Sequence, residues 1–124
     1  MPLQMYAVTF SEPVDAEVDF DASELNLAIL HSWREHHDLH AWMERLYHAK
    51  GGCFDPFEDA NVVLTAKDID RLEDDIVWNR LPIAHGIFLD GIDPSDAHDL
   101  LLFTTQAREV LSEGLTLAYS GWRY

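Results

Sequence analysis

N-V-V-L-T-A-K-D-I-D-R-L-E-D-D-I, residues 61–76, changes character at its fifth position. Asn61 to Thr65 is short, apolar and β-branched, and reads as a strand. Thr65 with Asp68 three residues on is a capping arrangement, in which a hydroxyl and a carboxylate satisfy backbone N–H groups that a helix start leaves open. A helix follows from Ala66 to about Asn79, with Ile69, Leu72 and Ile76 on one face. Leu81-Pro82 ends it. A strand running straight into an amphipathic helix predicts a sheet with helices laid on it.

Toward the N-terminus, Met5 to Phe10 (M-Y-A-V-T-F) reads as a first strand, and acidic Ser11 to Ala22, with Pro13, as an exposed loop. Ser23 and Glu24 precede Leu25, Ile29 and Trp33 at intervals of four, which predicts a helix to about His36. Asp38 can cap a further helix with Leu39, Met43 and Leu46 on one face, stopped by Gly51-Gly52. Cys53 to Ala60 reads as a surface loop.

Toward the C-terminus, Gly86 to Leu89 (G-I-F-L) predicts a short central strand. Asp93-Pro94-Ser95-Asp96 starts a helix, with an Asp cap, Pro at the first helical position and a carboxylate in the first turn. Leu100, Phe103, Ala107, Val110 and Leu111 form its stripe, and Gly114 terminates it. Leu115 to Tyr119 is the last strand, with Gly121 to Tyr124 as a tail. The expected order is β-αα-β-α-β-α-β. It implies α/β or α+β class: a single four-stranded sheet with three to four helices packed on it, in one domain spanning residues 1–124.

Composition agrees with one packed domain. A chain of 124 residues buries about two-thirds of its unfolded surface, and 48% hydrophobic residues supply the core. The single Cys53 excludes an internal disulfide and fits a reducing compartment. The N-terminus lacks a basic region, apolar run and small-residue cleavage site, and no apolar stretch nears the roughly 20 residues needed to cross a bilayer. A cytoplasmic location is expected.

The formal net charge is −15. Phosphate repels such a chain, so direct contact with nucleic acid or an anionic membrane is disfavoured, and a protein partner with a basic groove is favoured. The charge is unevenly placed. Six acidic residues and no basic one lie between Ser11 and Trp33, and four Asp with no Lys or Arg between Leu81 and Ala107.

The densest chemistry lies from His36 to Gly52, with four histidines, Glu44, Trp42, Tyr47 and a double glycine. On a helix, His40 and Glu44 share a face, and imidazole with carboxylate can hold zinc, iron or manganese. They are the candidate metal ligands. Against them, no H-E-x-x-H motif is present, and His40 and Tyr47 fall at the edge of the apolar stripe, where such side chains pack their bodies and keep polar ends wet. No cofactor is expected. Asp90, Asp93, Asp96 and Asp99 recur every third residue without matching a D-x-D-x-D-G calcium loop; with Trp122 and Tyr124 they are the candidate partner-binding residues. No nucleophile elbow, P-loop or dinucleotide fingerprint occurs, and no catalytic residue is assigned.

His36, Leu39, His40, Trp42, Met43, Glu44, Leu46, Tyr47, Gly51 and Gly52 resemble a small phage and prophage protein family with the pattern H-P-x-L-H-x-W-M-E-x-L-Y-x-x-x-G-G. The likeness continues through residues 61–76, Leu81-Pro82, Gly86, Phe88, Ala107-Arg108-Glu109, Tyr119-Ser120 and Trp122. His37 stands where the family tends to have Pro. Members are sometimes labelled phosphoglycerate kinase, a much larger enzyme whose nucleotide-binding features this chain lacks. The resemblance implies a phage context and no particular chemistry. The leading expectation is an accessory protein that binds a protein partner, in its specific form an inhibitor of a nucleic-acid-processing defence complex of anti-CRISPR or anti-restriction type. A metal-dependent hydrolase or nucleotide-modifying enzyme using His40 and Glu44 is the alternative. A structural protein self-associating into a homo-oligomer through Trp122 and Tyr124 is a third.

Overall fold

A computed structural model of the chain describes residues 3–12, 14, 16–20, 25–34, 37–53, 60–78 and 94–123. Its elements are β1 (Leu3–Phe10), β2 (Ala28–Arg34), α1 (His37–Ala49), β3 (Ala60–Leu64), α2 (Ala66–Val77), α3 (Pro94–Ser112) and β4 (Thr116–Arg123). All pairings are antiparallel and the sheet order is β2-β1-β4-β3, so the first and last strands lie together at the centre. The class is α+β: one four-stranded sheet with three helices among the described residues, as expected.

The order of elements differs from expectation in the first third of the chain. Where a helix was expected from Ser23 to about His36, Ala28–Arg34 forms strand β2, paired with β1 from Gln4↔Arg34 to Thr9↔Ala28. An apolar interval of four suits a helix but does not exclude a strand, and in the strand that forms a bulge at Leu30 turns Ile29 and Trp33 to opposite faces. Pairing with β2 satisfies the backbone groups along that side of β1. The strand expected at Gly86–Leu89 lies outside the described residues. At the other end β4 continues past Tyr119, so Gly121, Trp122 and Arg123 pair with Met5, Gln4 and Leu3 instead of forming a tail.

The remaining elements follow local chemistry. Thr65 caps α2 in a full capping box: its side chain accepts from Asp68 N–H, and its own N–H donates to Asp68 Oδ2 at 2.9 Å. Helix α1 ends in a Schellman motif, with Gly52 N–H donating to Tyr47 O at 2.9 Å, Gly51 N–H to His48 O at 3.0 Å, and Gly51 at φ +103°. Helix α3 ends the same way. Gly114 takes φ +84° while Leu115 N–H reaches Val110 O at 3.2 Å.

One face of the sheet carries the main core. Met5 and Ala7 of β1, Leu117 and Tyr119 of β4, Val62 and Leu64 of β3 and Trp33 of β2 pack under Leu39, Met43 and Tyr47 of α1, Ile69 and Leu72 of α2, and Leu100, Phe103 and Ala107 of α3. Nearly all are fully buried, and each large side chain taken from water contributes about 1.5–3 kcal/mol.

The opposite face is covered differently. Glu12 Oε1 accepts from Asn26 N at 3.5 Å and from Asn26 Nδ2 at 3.3 Å, which ties the start of the β1–β2 loop to its end. From that loop Val14, Phe20 and Leu25 join Val8, Phe10, Val63 and Ala118 in a second, smaller cluster. The loop is fixed along the outer edge of β3, where Val63 N–H donates to Glu17 O at 2.7 Å and Asp19 N–H to Asn61 O at 3.0 Å. Asn61 then clasps Phe20, accepting its N–H at 2.9 Å and donating to its carbonyl at 3.0 Å.

Candidate functional site

Of the histidine-rich segment, His40 is built into the helix–sheet interface. His40 Nδ1 lies 2.7 Å from the hydroxyl of Tyr119, which is fully buried, and burial pushes the Tyr119 phenol well above its ordinary pKa. A Cβ at Gly121 would come within 2.9 Å of the His40 ring, so the imidazole lies against bare β4 backbone. Glu44 is one turn further along α1 and partly exposed. Among the described residues no group of three or more His, Cys, Asp or Glu is arranged to hold a metal ion.

The other polar side chains of the segment tie elements together. Trp42 Nε1–H donates to Asp75 Oδ2 at 2.8 Å, joining α1 to α2. The Tyr47 hydroxyl donates to Asp19 Oδ2 at 2.6 Å and so fixes the loop to α1. Gly52 covers the Tyr47 ring so closely that a Cβ there would fall 2.3 Å from it. Lys50 donates to Asp68 Oδ2 and to Val63 O, each at 2.6 Å, and lies 3.5 Å from Glu17. The double glycine and its neighbours thus close a corner of the fold.

Of the candidate partner-binding residues, the described ones lie on α3 and β4. Asp99 Oδ2 accepts Trp33 Nε1–H at 3.1 Å and faces His31 Nε2 at 3.2 Å, which links α3 to the edge strand β2. Asp96 falls in the first turn of α3, and Trp122 stands in β4 opposite Gln4. Asp90, Asp93 and Tyr124 lie outside the described residues. The acidic face of α2 is partly neutralised by Arg108 of α3, whose guanidinium bonds Glu73 at 2.7 and 3.0 Å and Asp70 at 2.8 Å. These bonds hold the Glu73 carboxyl below its ordinary pKa.

A cavity that the sequence reading missed lies on the second face of the sheet. It is a half-open groove of about 510 Å³ with Tyr6, Val8 and Ala118 on the sheet side, Ile29 on β2, and Phe20 and Leu27 from the loop. That volume falls within the roughly 300–1,000 Å³ range of ligand clefts. A β-bulge shapes it. Ala7 pairs with His31 but Val8 pairs with Ile29, so Leu30 is the extra residue. Without the bulge Ile29 would share the helix side with His31 and Trp33; with it, Ile29 stands beside Val8 in the groove and Leu30 packs against the main core. Ile29 is 63% exposed and Leu27 46%.

The polar groups of the groove are already engaged. The Asn61 amide is held by Phe20, and Ser120 Oγ donates to Ala60 O at 3.0 Å. The walls therefore offer mainly apolar contact. One sequence signal pointed here: in M-Y-A-V-T-F both parities carry apolar residues, the mark of a strand covered on both faces.

Comparison with known proteins finds no matching family model, no similar curated protein and no similar solved structure. No helix among the described residues is long and apolar enough to cross a membrane.

Proposed function

We propose that this chain is a phage-type accessory protein that acts by binding another protein, and that its partner is a nucleic-acid-processing protein with a basic groove, of the kind used in host defence. The observation that carries the reading is an apolar, half-open groove left on one face of the sheet of a chain with net charge −15. Open apolar surface is costly in water and marks contact sites, while the charge selects partners of opposite sign.

Affinity capture from host lysate at stepped ionic strength tests this. A basic partner is expected at low salt and is lost as the screening length falls from about 10 Å at 0.1 M to about 3 Å at 1 M. If no basic protein is retained even at low ionic strength, the reading fails.

A further inference from the structure

We infer that the segment from Glu17 to Phe20 is a strap that opens as one unit while the sheet and the helices packed on it stay folded, and that its closed form withholds the outer edge of β3. The inference is independent of the protein-binding reading. It rests on how the segment is paired, what latches it and how little apolar surface holds it down.

The strap is a rudimentary fifth strand. Val18 faces Val62 in a single antiparallel bridge, closed by Val63 N–H donating to Glu17 O at 2.7 Å and Asp19 N–H donating to Asn61 O at 3.0 Å. Pairing stops there because Asp19 turns out of the β region, at φ +53°, the one non-glycine residue with positive φ among the described residues. Backbone held in that conformation is strained and depends on its surroundings to keep it there. Phe20 then meets a side chain instead of the strand, and the Asn61 amide takes both its N–H and its carbonyl.

The latches come from the C-terminal end of α1. Tyr47, fully buried, donates its hydroxyl to Asp19 Oδ2 at 2.6 Å on one side of the bridge, and Lys50 Nζ lies 3.5 Å from Glu17 Oε1 on the other. The Glu17 side chain is 58% exposed, so water screens the second contact and the first dominates. Lys50 does not have to move when the strap leaves, because Asp68 Oδ2 and Val63 O hold it at 2.6 Å each.

The apolar hold is small. Phe20 packs on Phe10 with ring centroids 5.5 Å apart, in a cluster whose buried members are Phe10, Phe20 and Ala118. Of the strap, Val18 alone reaches the helix-side core, and it is only half-buried there. A segment with two backbone bonds to its neighbour strand and few buried apolar contacts opens at a lower free energy than the core does. Opening frees Asn61 O and Val63 N–H and uncovers Phe10. Unpaired groups along a strand edge are a template for pairing with another chain, and the closed strap keeps that template covered.

Native-state amide exchange of the full chain, read by NMR, tests the strap. The amides of Asp19, Phe20 and Val63 report its bonds, and the centre of β1, paired on both sides, reports global unfolding. In the parent the three should share one protection factor, at least about tenfold below that of β1. Tyr47→Phe should lower all three by a common factor of about ten. Asp19→Asn, which keeps the turn and weakens the acceptor, should lower Phe20 and Val63 together by about threefold, and it serves equally if Tyr47→Phe does not fold. Phe103→Leu, in the helix-side core, should lower β1 about tenfold and leave the three unchanged. Protection of the three equal to that of β1, unequal factors among them in the latch variants, or a fall in step with β1 in Phe103→Leu would each overturn the inference.

Discussion

The two faces of the same sheet are finished in different ways. On the helix face, three helices bring large side chains onto β1, β4 and β3, and Tyr47, Phe103, Tyr119, Leu39 and Leu72 are all fully buried. On the loop face, among the described residues, the β1–β2 connection lays Phe20 over Phe10 and Ala118, while Ile29 and Leu27 stay substantially open beside Tyr6 and Val8. The first arrangement maximises burial and specifies the fold. The second stops short of filling its apolar surface, and the bulge at Leu30 adds an isoleucine to that surface where regular alternation would have turned it toward the helices. On the proposed reading, stability and recognition fall to opposite sides of the four strands.

Substitutions that discriminate the faces follow in order of expected effect. Phe103→Ala, at the centre of the helix face and in edge-on contact with Trp33 at 4.9 Å, should destabilise the protein by about 3–5 kcal/mol in urea unfolding. A loss under about 1 kcal/mol would mean that the helix face is not the one that holds the fold. Lys50→Met removes the cation paired with buried Asp68, whose remaining partners are the Thr65 N–H and hydroxyl, and should cost about 3 kcal/mol by the same measurement. Because Lys50 also lies near Glu17, this variant sharpens the comparison: the loop face should loosen along with the corner, visible as faster amide exchange at Val63 and Asp19. Gly52→Ala drives a methyl into the Tyr47 ring and should cost about 1–3 kcal/mol.

The smallest effect concerns pH. Arg108 bonded to Glu73 lowers the Glu73 pKa, so the stabilisation from this contact is present above the carboxylate's unfolded value of about 4.3 and is lost as pH falls through the lower folded value. The pair is partly exposed, which keeps the contribution small. The stability gap between parent and Glu73→Gln should therefore be constant above about pH 5 and shrink as the solution is acidified below about pH 4. Melting temperatures across that range check it, and a gap that widened on acidification would contradict the assignment.

Elements whose signals are local could be read from the sequence. Thr65 with Asp68 marked the start of α2, Asp93-Pro94 the start of α3, and Gly51 and Gly114 the ends of α1 and α3, because capping chemistry depends on residues three or four apart. β2 escaped, since Ile29 and Trp33 four apart fit one helical face, whereas in the strand the bulge at Leu30 parts them to opposite faces, and that register is a property of the assembled sheet. Trp122 was read as part of a tail after Tyr119, yet β4 runs on through it, and Gly121 is the position where β4 lets the His40 ring approach. The candidate ligand His40 was legible as a boundary residue but not as the partner of Tyr119, which lies 79 residues away. The groove was least legible. Its walls come from β1, β2, β4 and the loop, and the residue that shapes it, Leu30, is recognisable only from the pairing register.

The division of labour between the faces is tested most directly by the double variant Leu27→Ser/Ile29→Ser, assayed in parallel for urea unfolding and for retention of the basic partner. Both side chains are exposed, so the unfolding free energy should stay within about 1 kcal/mol of the parent, while partner retention at low salt falls at least about tenfold. A variant that keeps full retention, or one that unfolds as readily as Phe103→Ala, would contradict the account.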